Sequence, residues 1–369
     1  LTKNYALLAT HFHQLTIADI RKETPECVSI AFEVPEELKT AYLFKQGQNL
    51  TLRTVINNEE VRRSYSICSC PTDNELRVAI KKAPYGKFSV WANNILKKGD
   101  VVEVMPPTGT FFTELNPAHK KKYLAFAAGS GITPVISIIK TTLLTEPESS
   151  FTLVYGNQNR NSIIFKEQLE ALKNKYINRL AVHFLLSREQ TDAAIYSGRI
   201  NDEKLNLLSE KLIDVRGMDD IFICGPEQMI FTVMNWLQQY GIEKKKIHFE
   251  LFTTPGEKAE AGSRKSEVSK EDSSVLKSKL TVKLDGIAFD FELPYDGQTI
   301  LEAALQQGAD LPFSCKGGVC STCKAKLIEG QVDMDINYAL EQEEVDAGFI
   351  LTCQSHPRTN KVVVDFDVK

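Results

Sequence analysis

Cys315-Lys316-Gly317-Gly318-Val319-Cys320-Ser321-Thr322-Cys323 places three cysteines on one short loop, and Leu351-Thr352-Cys353 supplies a fourth from further along the chain. The spacing is C-x4-C-x2-C-x29-C. Three thiolates on one loop converge on a pair of irons only if the backbone bends tightly, and Gly317 and Gly318 suit that bend. Cys315, Cys320, Cys323 and Cys353 are therefore expected to hold a 2Fe–2S cluster as its metal ligands. Zinc or plain buried thiols are the rival readings, but structural zinc favours paired C-x2–4-C hooks, and here the last cysteine stands alone. Of the remaining cysteines, Cys27, Cys68, Cys70 and Cys224, three read as small buried residues.

Outward from that loop, the surrounding pattern is a small α+β unit. Two β-rich runs, 279–284 and 287–293, are joined by Asp285-Gly286, a strong hairpin signal. Thr299 and Glu302 have capping-box spacing ahead of Leu301, Ala304 and Leu305, and Gly308 suits the helix end. A last strand is expected over 362–368. This predicts a β-grasp-like domain over 277–369. Before it, 253–276 is rich in Glu, Lys, Ser and Gly with no sustained period, the composition of a linker.

The front of the chain changes character near residue 116. Short β-runs at 27–32, 49–55, 64–68, 76–80 and 101–105, with one helix at 87–96, predict an antiparallel β-barrel over 10–115. From 116 to 252, strands at 123–128, 151–155, 181–186 and 221–224 alternate with helices at 135–144, 164–173 and 229–240. That alternation predicts a doubly wound, mostly parallel α/β sheet. His11 and His13 are expected in a flexible tail.

A chain of 369 residues with 43% hydrophobic and 25% charged residues has enough apolar material for two or three cores. No run of 18 apolar residues occurs, which argues against a membrane helix. The first residues, Leu1-Thr2-Lys3-Asn4-Tyr5, lack the features of a secretory leader, so a cytoplasmic location is expected. A formal charge of −4 argues against nucleic acid as a partner. Residues 277–369 carry 9 basic and 15 acidic side chains, an excess suited either to solubility or to steering towards a basic partner surface.

Four further motifs point to cofactors. Arg63-Ser64-Tyr65-Ser66 lies in a β-run, and Gly86-Lys87-Phe88-Ser89 opens the predicted helix. Ala128-Gly129-Ser130-Gly131-Ile132-Thr133-Pro134 joins a strand to a helix, where glycines let a diphosphate approach the backbone. Cys224-Gly225-Pro226 ends another strand.

In that order the motifs resemble the ferredoxin–NADP⁺ reductase superfamily fused to a plant-type ferredoxin, as in reductase components of bacterial multicomponent oxygenases. The stretches 62–68, 127–134, 308–320 and 362–367 carry the likeness. The resemblance implies FAD, a 2Fe–2S cluster and NADPH as co-substrate. It implies that Arg63 pairs with the FAD diphosphate and that Tyr65 packs on the flavin. Ser66 would meet the reactive flavin nitrogen, with Ser64, Ile80, Lys81, Gly86, Lys87, Phe88 and Ser89 completing the flavin site. Gly129, Gly131, Thr133, Pro134, Cys224, Gly225 and Pro226 would receive the nicotinamide dinucleotide. Ser187, Arg188 and Tyr196 would grip its 2′-phosphate and adenine. Ser66, Cys224 and Glu250 would stand closest to the hydride, and Phe252 would lie nearby. The implied function is an NADPH-dependent reductase passing electrons through FAD and the cluster to a diiron oxygenase. Another oxygenase or dehydratase client, or a redox sensor, are the alternatives.

Overall fold

The structure, a computed structural model, describes residues 11–252 and 276–368. The stretch read as a linker lies outside the described residues except for Leu276.

Six strands form the first sheet: β1 (His13–Thr24), β2 (Cys27–Glu33), β3 (Asn49–Ile56), β4 (Glu59–Ser66), β5 (Leu76–Lys81) and β6 (Val101–Val104). Their order is β4-β3-β6-β1-β2-β5, and every neighbouring pair is antiparallel. A bridge between Ile67 and Val78 ties the two outer strands, closing the sheet into the expected barrel. Leu15, Ile17, Ile30, Leu50, Leu52, Val78 and Val104 fill it, and α1 (Lys87–Asn94) adds Phe88 and Ala92 to that core.

Two expectations are corrected here. His13 opens β1, opposite Val104, with its ring against Tyr42, and His11 Nε2 lies 2.8 Å from Asp285 Oδ2, so neither sits in a free tail. Strand β4 runs over 59–66 rather than 64–68, because Glu59, Glu60, Arg62 and Arg63, with buried Val61 among them, pair along β3 in unbroken register.

The second sheet is wholly parallel. It comprises β7 (Lys122–Ala128), β8 (Ser150–Asn157), β9 (Leu180–Leu186), β10 (Asp220–Cys224) and β11 (Ile247–Glu250), in the order β11-β10-β7-β8-β9. Helices α2 (Ile132–Thr145), α3 (Lys166–Lys175), α4 (Asp202–Lys211) and α5 (Glu227–Gln239) complete this unit. Every residue of β10 is buried, as a central parallel strand requires. The strand order reverses between β7 and β10, where an α/β sheet opens a crevice at its carboxyl edge.

Helix α2 begins at Ile132, three residues before the expected start, so Pro134 is its third residue. An N–H there has no intrahelical partner, and proline is tolerated. The helix is buried almost all round because it fills the space between this sheet and the barrel. Ser137 Oγ donates to Ser69 O at 2.7 Å, Thr141 Oγ1 donates to Cys70 Sγ at 3.4 Å, and Lys140 pairs with Asp73.

The third unit is a mixed sheet ordered β13-β12-β18-β14-β16. Its elements are β12 (Lys277–Leu284), β13 (Ile287–Pro294), α6 (Ile300–Gln306), β14 (Lys324–Glu329), β15 (Val332–Met334), α7 (Gln342–Asp346), β16 (Phe349–Leu351), β17 (Ser355–Pro357) and β18 (Lys361–Asp365). Asp285 and Gly286 both have left-handed backbone (φ 56° and 75°), which makes the tight hairpin. Thr299 and Glu302 form the expected capping box on α6. The final strand stops at Asp365, where Phe366 N–H turns to Lys283 O. No helix among the described residues is long and apolar enough to cross a membrane.

Candidate functional site

Strand β4 presents two faces, since successive side chains alternate. Arg63 and Tyr65 occupy one. Arg63 is exposed, and Tyr65 leans on Phe88 with ring centroids 5.5 Å apart. Gly86, ahead of α1, has no side-chain cap, so the first N–H groups of the helix have no partner within it. A forked cation, a phenol ring and unpaired N–H donors suit a flavin diphosphate on this side of the barrel.

The neighbouring expected residues serve the same loop in different ways. Ser89 Oγ accepts from Ala83 N–H at 3.1 Å and donates to Gly86 O at 3.2 Å, so it shapes the turn. Lys87 pairs with Glu59. Phe88 and Ile80 are sealed in the barrel core and offer a cofactor only their backbones. Lys81 points away from that core, and its Nζ lies 3.3 Å from where a Cβ on Gly129 would stand, so it reaches the dinucleotide loop.

That loop sits at the sheet's switch point. Gly129 takes left-handed backbone (φ 55°), and its carbonyl accepts from Tyr155 Oη at 2.9 Å. Thr133 Oγ1 donates back to Ser130 O at 3.0 Å, closing the turn. A Cβ on Gly131 would meet Cys224 O at 2.0 Å and Gly225 N at 2.7 Å. The glycine is therefore required by close approach of the loop to the end of β10. Pro226 leads directly into α5.

Further out, Ser187 and Arg188 donate their backbone N–H groups to Asn157 O and Gln158 O, tying the β8 and β9 ends together. The Arg188 side chain is exposed, while Tyr196 lies parallel to His183 at 6.1 Å. A cation and a flat ring at the carboxyl edge fit the phosphate and adenine of a dinucleotide.

Ser66, Cys224 and Glu250 come together from three strands. Cys224 and Glu250 are register partners on β10 and β11, and Ser66 Oγ donates to Glu250 Oε2 at 2.9 Å. Burial pushes the Glu250 carboxyl up to about 8, despite the opposing Ser66 hydrogen bond. Burial likewise pushes the Cys224 thiol well above its ordinary range, the direction that favours the neutral thiol. Phe252, at the edge of the described residues, is partly exposed.

The loop of Cys315, Cys320 and Cys323, with Cys353 beside it, packs against this junction. The sulfurs pair as Cys315 with Cys320 and Cys323 with Cys353, and Cys315 also meets Cys353. Among the described residues, no three His, Cys, Asp or Glu side chains gather as for a single ion. Two linked pairs fit ligands shared between two irons. Gly317 N–H donates to Cys315 Sγ at 3.3 Å, and Gln354 Nε2 donates to Cys353 Sγ at 3.7 Å. Gly318 (φ 74°) has Ile336 O 2.8 Å from its virtual Cβ, so both its conformation and its space demand glycine.

A narrow cavity of about 40 Å³ marks the seam of all three units, lined by Asn49, Thr110, Phe111, Glu250, Val319 and Cys320. A larger hollow of about 560 Å³, between α4 and α5, contains none of the expected site residues. Residues that sequence reading missed are those that join the units: Arg62, Thr51 and Tyr338. Thr51 Oγ1 lies 3.2 Å from Thr322 Oγ1, and Tyr338 meets Phe231 of α5. Arg62 adjoins the flavin motif, but nothing in its neighbours signals a partner 248 residues away.

The barrel, switch-point loop and thiol loop define a flavin- and iron–sulfur-dependent oxidoreductase that draws on a nicotinamide dinucleotide. Three family models match in sequence: an oxidoreductase FAD-binding domain (14–113), an oxidoreductase NAD-binding domain (126–235) and a 2Fe-2S iron-sulfur cluster binding domain (282–358). One component of the 1,2-phenylacetyl-CoA epoxidase of Escherichia coli (strain K12) is 45% identical over 98% of this chain and 99% of its own. The ferredoxin reductase component of the Rhodococcus rhodochrous 3-ketosteroid-9-alpha-monooxygenase is 35% identical over 95% of this chain and 96% of its own. Phthalate dioxygenase reductase superposes with a TM-score of 0.57 at 25% identity, covering 96% of this chain and 98% of that structure. The chain belongs to this family of electron-transfer reductases, the one that includes the 1,2-phenylacetyl-CoA epoxidase component.

Proposed function

We propose that this chain is the reductase that takes electrons from NADPH and delivers them to the diiron oxygenase subunits of a phenylacetyl-CoA epoxidase, within phenylacetate degradation in the cytoplasm. The observation that carries the electron path is the seam where Ser66, Glu250, Cys224 and the Cys320 loop meet. When bound, the flavin supplies two-electron acceptance from a hydride donor, and the cluster supplies one-electron transfer.

The chain's own residues do the positioning. Arg63 and the α1 N–H groups hold the flavin diphosphate. Gly129 and Gly131 admit the dinucleotide to the backbone at the carboxyl edge, and Lys81 adds a cation beside them. Ser66 and Glu250 order a hydrogen-bonded pair where the nicotinamide meets the barrel, and burial raises the Glu250 carboxyl above its ordinary range there. Arg188, with its fork free in solvent, supports NADPH over NADH. Similarity to the epoxidase component over almost the full chain supports the client.

The test is reconstitution with epoxidase oxygenase subunits, following NADPH consumption against loss of phenylacetyl-CoA. Coupled turnover is expected. Uncoupled NADPH oxidation, with coupling restored by the subunits of a different oxygenase, would overturn the client assignment.

A further inference from the structure

We propose that Arg62 is a positioning residue that seats the iron–sulfur module on the flavin barrel for electron transfer between them. The inference rests on the flavin-to-cluster order proposed above. Strand β4 turns Arg63 and Tyr65 towards the flavin side, and alternation turns Arg62 and Ser64 towards the module, so Ser64, expected in the flavin site, instead meets Ser314.

The Arg62 side chain is only 7% exposed. Its Nη2 donates to Asp310 Oδ1 at 3.1 Å, its Nη1 donates to Leu311 O at 3.3 Å, and its guanidinium lies over the Phe313 ring at 4.2 Å. Nε donates to Glu60 Oε1 at 2.7 Å on the barrel itself. One fork therefore grips three of the four residues 310–313, and the chain then passes through Ser314 into the ligand Cys315.

Two hydroxyl contacts flank the fork. Ser64 Oγ donates to Ser314 Oγ at 2.9 Å, and Thr51 and Thr322 share a hydrogen bond. Each of these module residues immediately precedes a cluster ligand. Hydroxyls rotate to suit a neighbour and do not specify orientation, whereas a planar guanidinium paired on its edge and stacked on its face does. The Arg62 guanidinium contacts Glu60, Asp310, Leu311 and Phe313 and none of the four cysteines, so its effect is on how the ligand loop is held. Small misplacements of reacting groups carry large rate penalties.

The test compares full-length holoenzyme with Arg62→Gln, Arg62→Lys and Asp310→Asn. Anaerobic rapid mixing with NADPH follows the flavin and cluster bands separately, and amide hydrogen exchange is read over 49–66 and 309–323. In Arg62→Gln, flavin reduction is expected to stay within about twofold of wild type, while cluster reduction slows by about tenfold or more. Exchange should rise in both segments. Arg62→Lys, with charge but no fork, should fall between, and Asp310→Asn, which removes the charge that Arg62 and Arg53 share at 3.1 and 3.6 Å, should show a smaller loss than Arg62→Gln.

Cluster reduction at the wild-type rate, unchanged exchange, or equal slowing of both steps would overturn the inference. Should Arg62→Gln not fold, Asp310→Asn carries the comparison, because that carboxylate is 70% exposed. Failure of the wild-type flavin to reduce the cluster at all would instead overturn the electron order.

Discussion

Ser66 Oγ donates to Glu250 Oε2 at 2.9 Å, joining the last residue of the barrel strand β4 to the last residue of β11. The bond ties the parallel sheet to the barrel, at the place proposed above for hydride transfer. Ser66→Ala should keep its flavin and lower NADPH-to-ferricyanide kcat about tenfold, the rate equivalent of one hydrogen bond of ~1.4 kcal/mol. Glu250→Gln, whose carbonyl still accepts from Ser66, should lose less than Glu250→Ala. Steady-state kinetics with flavin quantified per chain checks both.

Gly131→Ala adds a methyl group where Cys224 O would be 2.0 Å away. The obstacle is backbone on a fully buried strand, and no flexible side chain can give way. The loop must shift, at a cost of ~1–3 kcal/mol, typical of overpacking. NADP⁺ affinity, read by titration of the flavin spectrum, should fall about tenfold or more, since the diphosphate depends on that backbone.

Much of this site was legible because its chemistry is local. The thiol loop, the glycine loop and Arg63–Ser66 each announce themselves within ten residues, and the three sheets follow from hydrophobic period. What escaped was polar or long-range. Strand β1 reads as mostly polar between Leu15 and Cys27, and only its pairing with β2 and β6 makes it a strand. Helix α4 had a visible start, with Asn201 accepting from Lys204 N–H and Leu205 and Leu208 facing inward, but its charged surface hid the period. Contacts such as Arg62 to Asp310 depend on how separate units dock, which no local pattern encodes.

Arg188→Ala should weaken NADPH far more than NADH. A charge-assisted fork on a phosphate contributes ~2 kcal/mol, about thirtyfold in affinity, while NADH offers no such group and should change by less than about threefold. Competition by 2′,5′-ADP and by 5′-AMP measures the difference without turnover. Equal effects on both would show that Arg188 does not meet the 2′-phosphate.

Glu146 is one group that should make folding depend on pH. Burial alone would raise its carboxyl. Hydrogen bonds from Asn116 N–H, Ser149, His119 and Tyr123 outweigh that and hold it below the ordinary range. A depressed carboxylate contributes stability that is fully present above the unfolded value, ~4.3, and is lost as pH falls through the lower folded value. Melting of wild type and Glu146→Gln should therefore differ most near neutral pH, by ~1–3 kcal/mol for the donors left poorly matched. The gap should close as pH drops below ~4.

The order expected is electron entry at the flavin and exit through a cluster held by Cys315, Cys320, Cys323 and Cys353. Its most direct test is anaerobic NADPH reduction of Cys320→Ser beside wild type, with iron content measured and both ferricyanide and cytochrome c as acceptors. Cys320→Ser is expected to lose its cluster and its cytochrome reduction while NADPH-to-ferricyanide turnover persists near the wild-type rate. Loss of both activities in a folded, flavin-loaded variant would contradict that order.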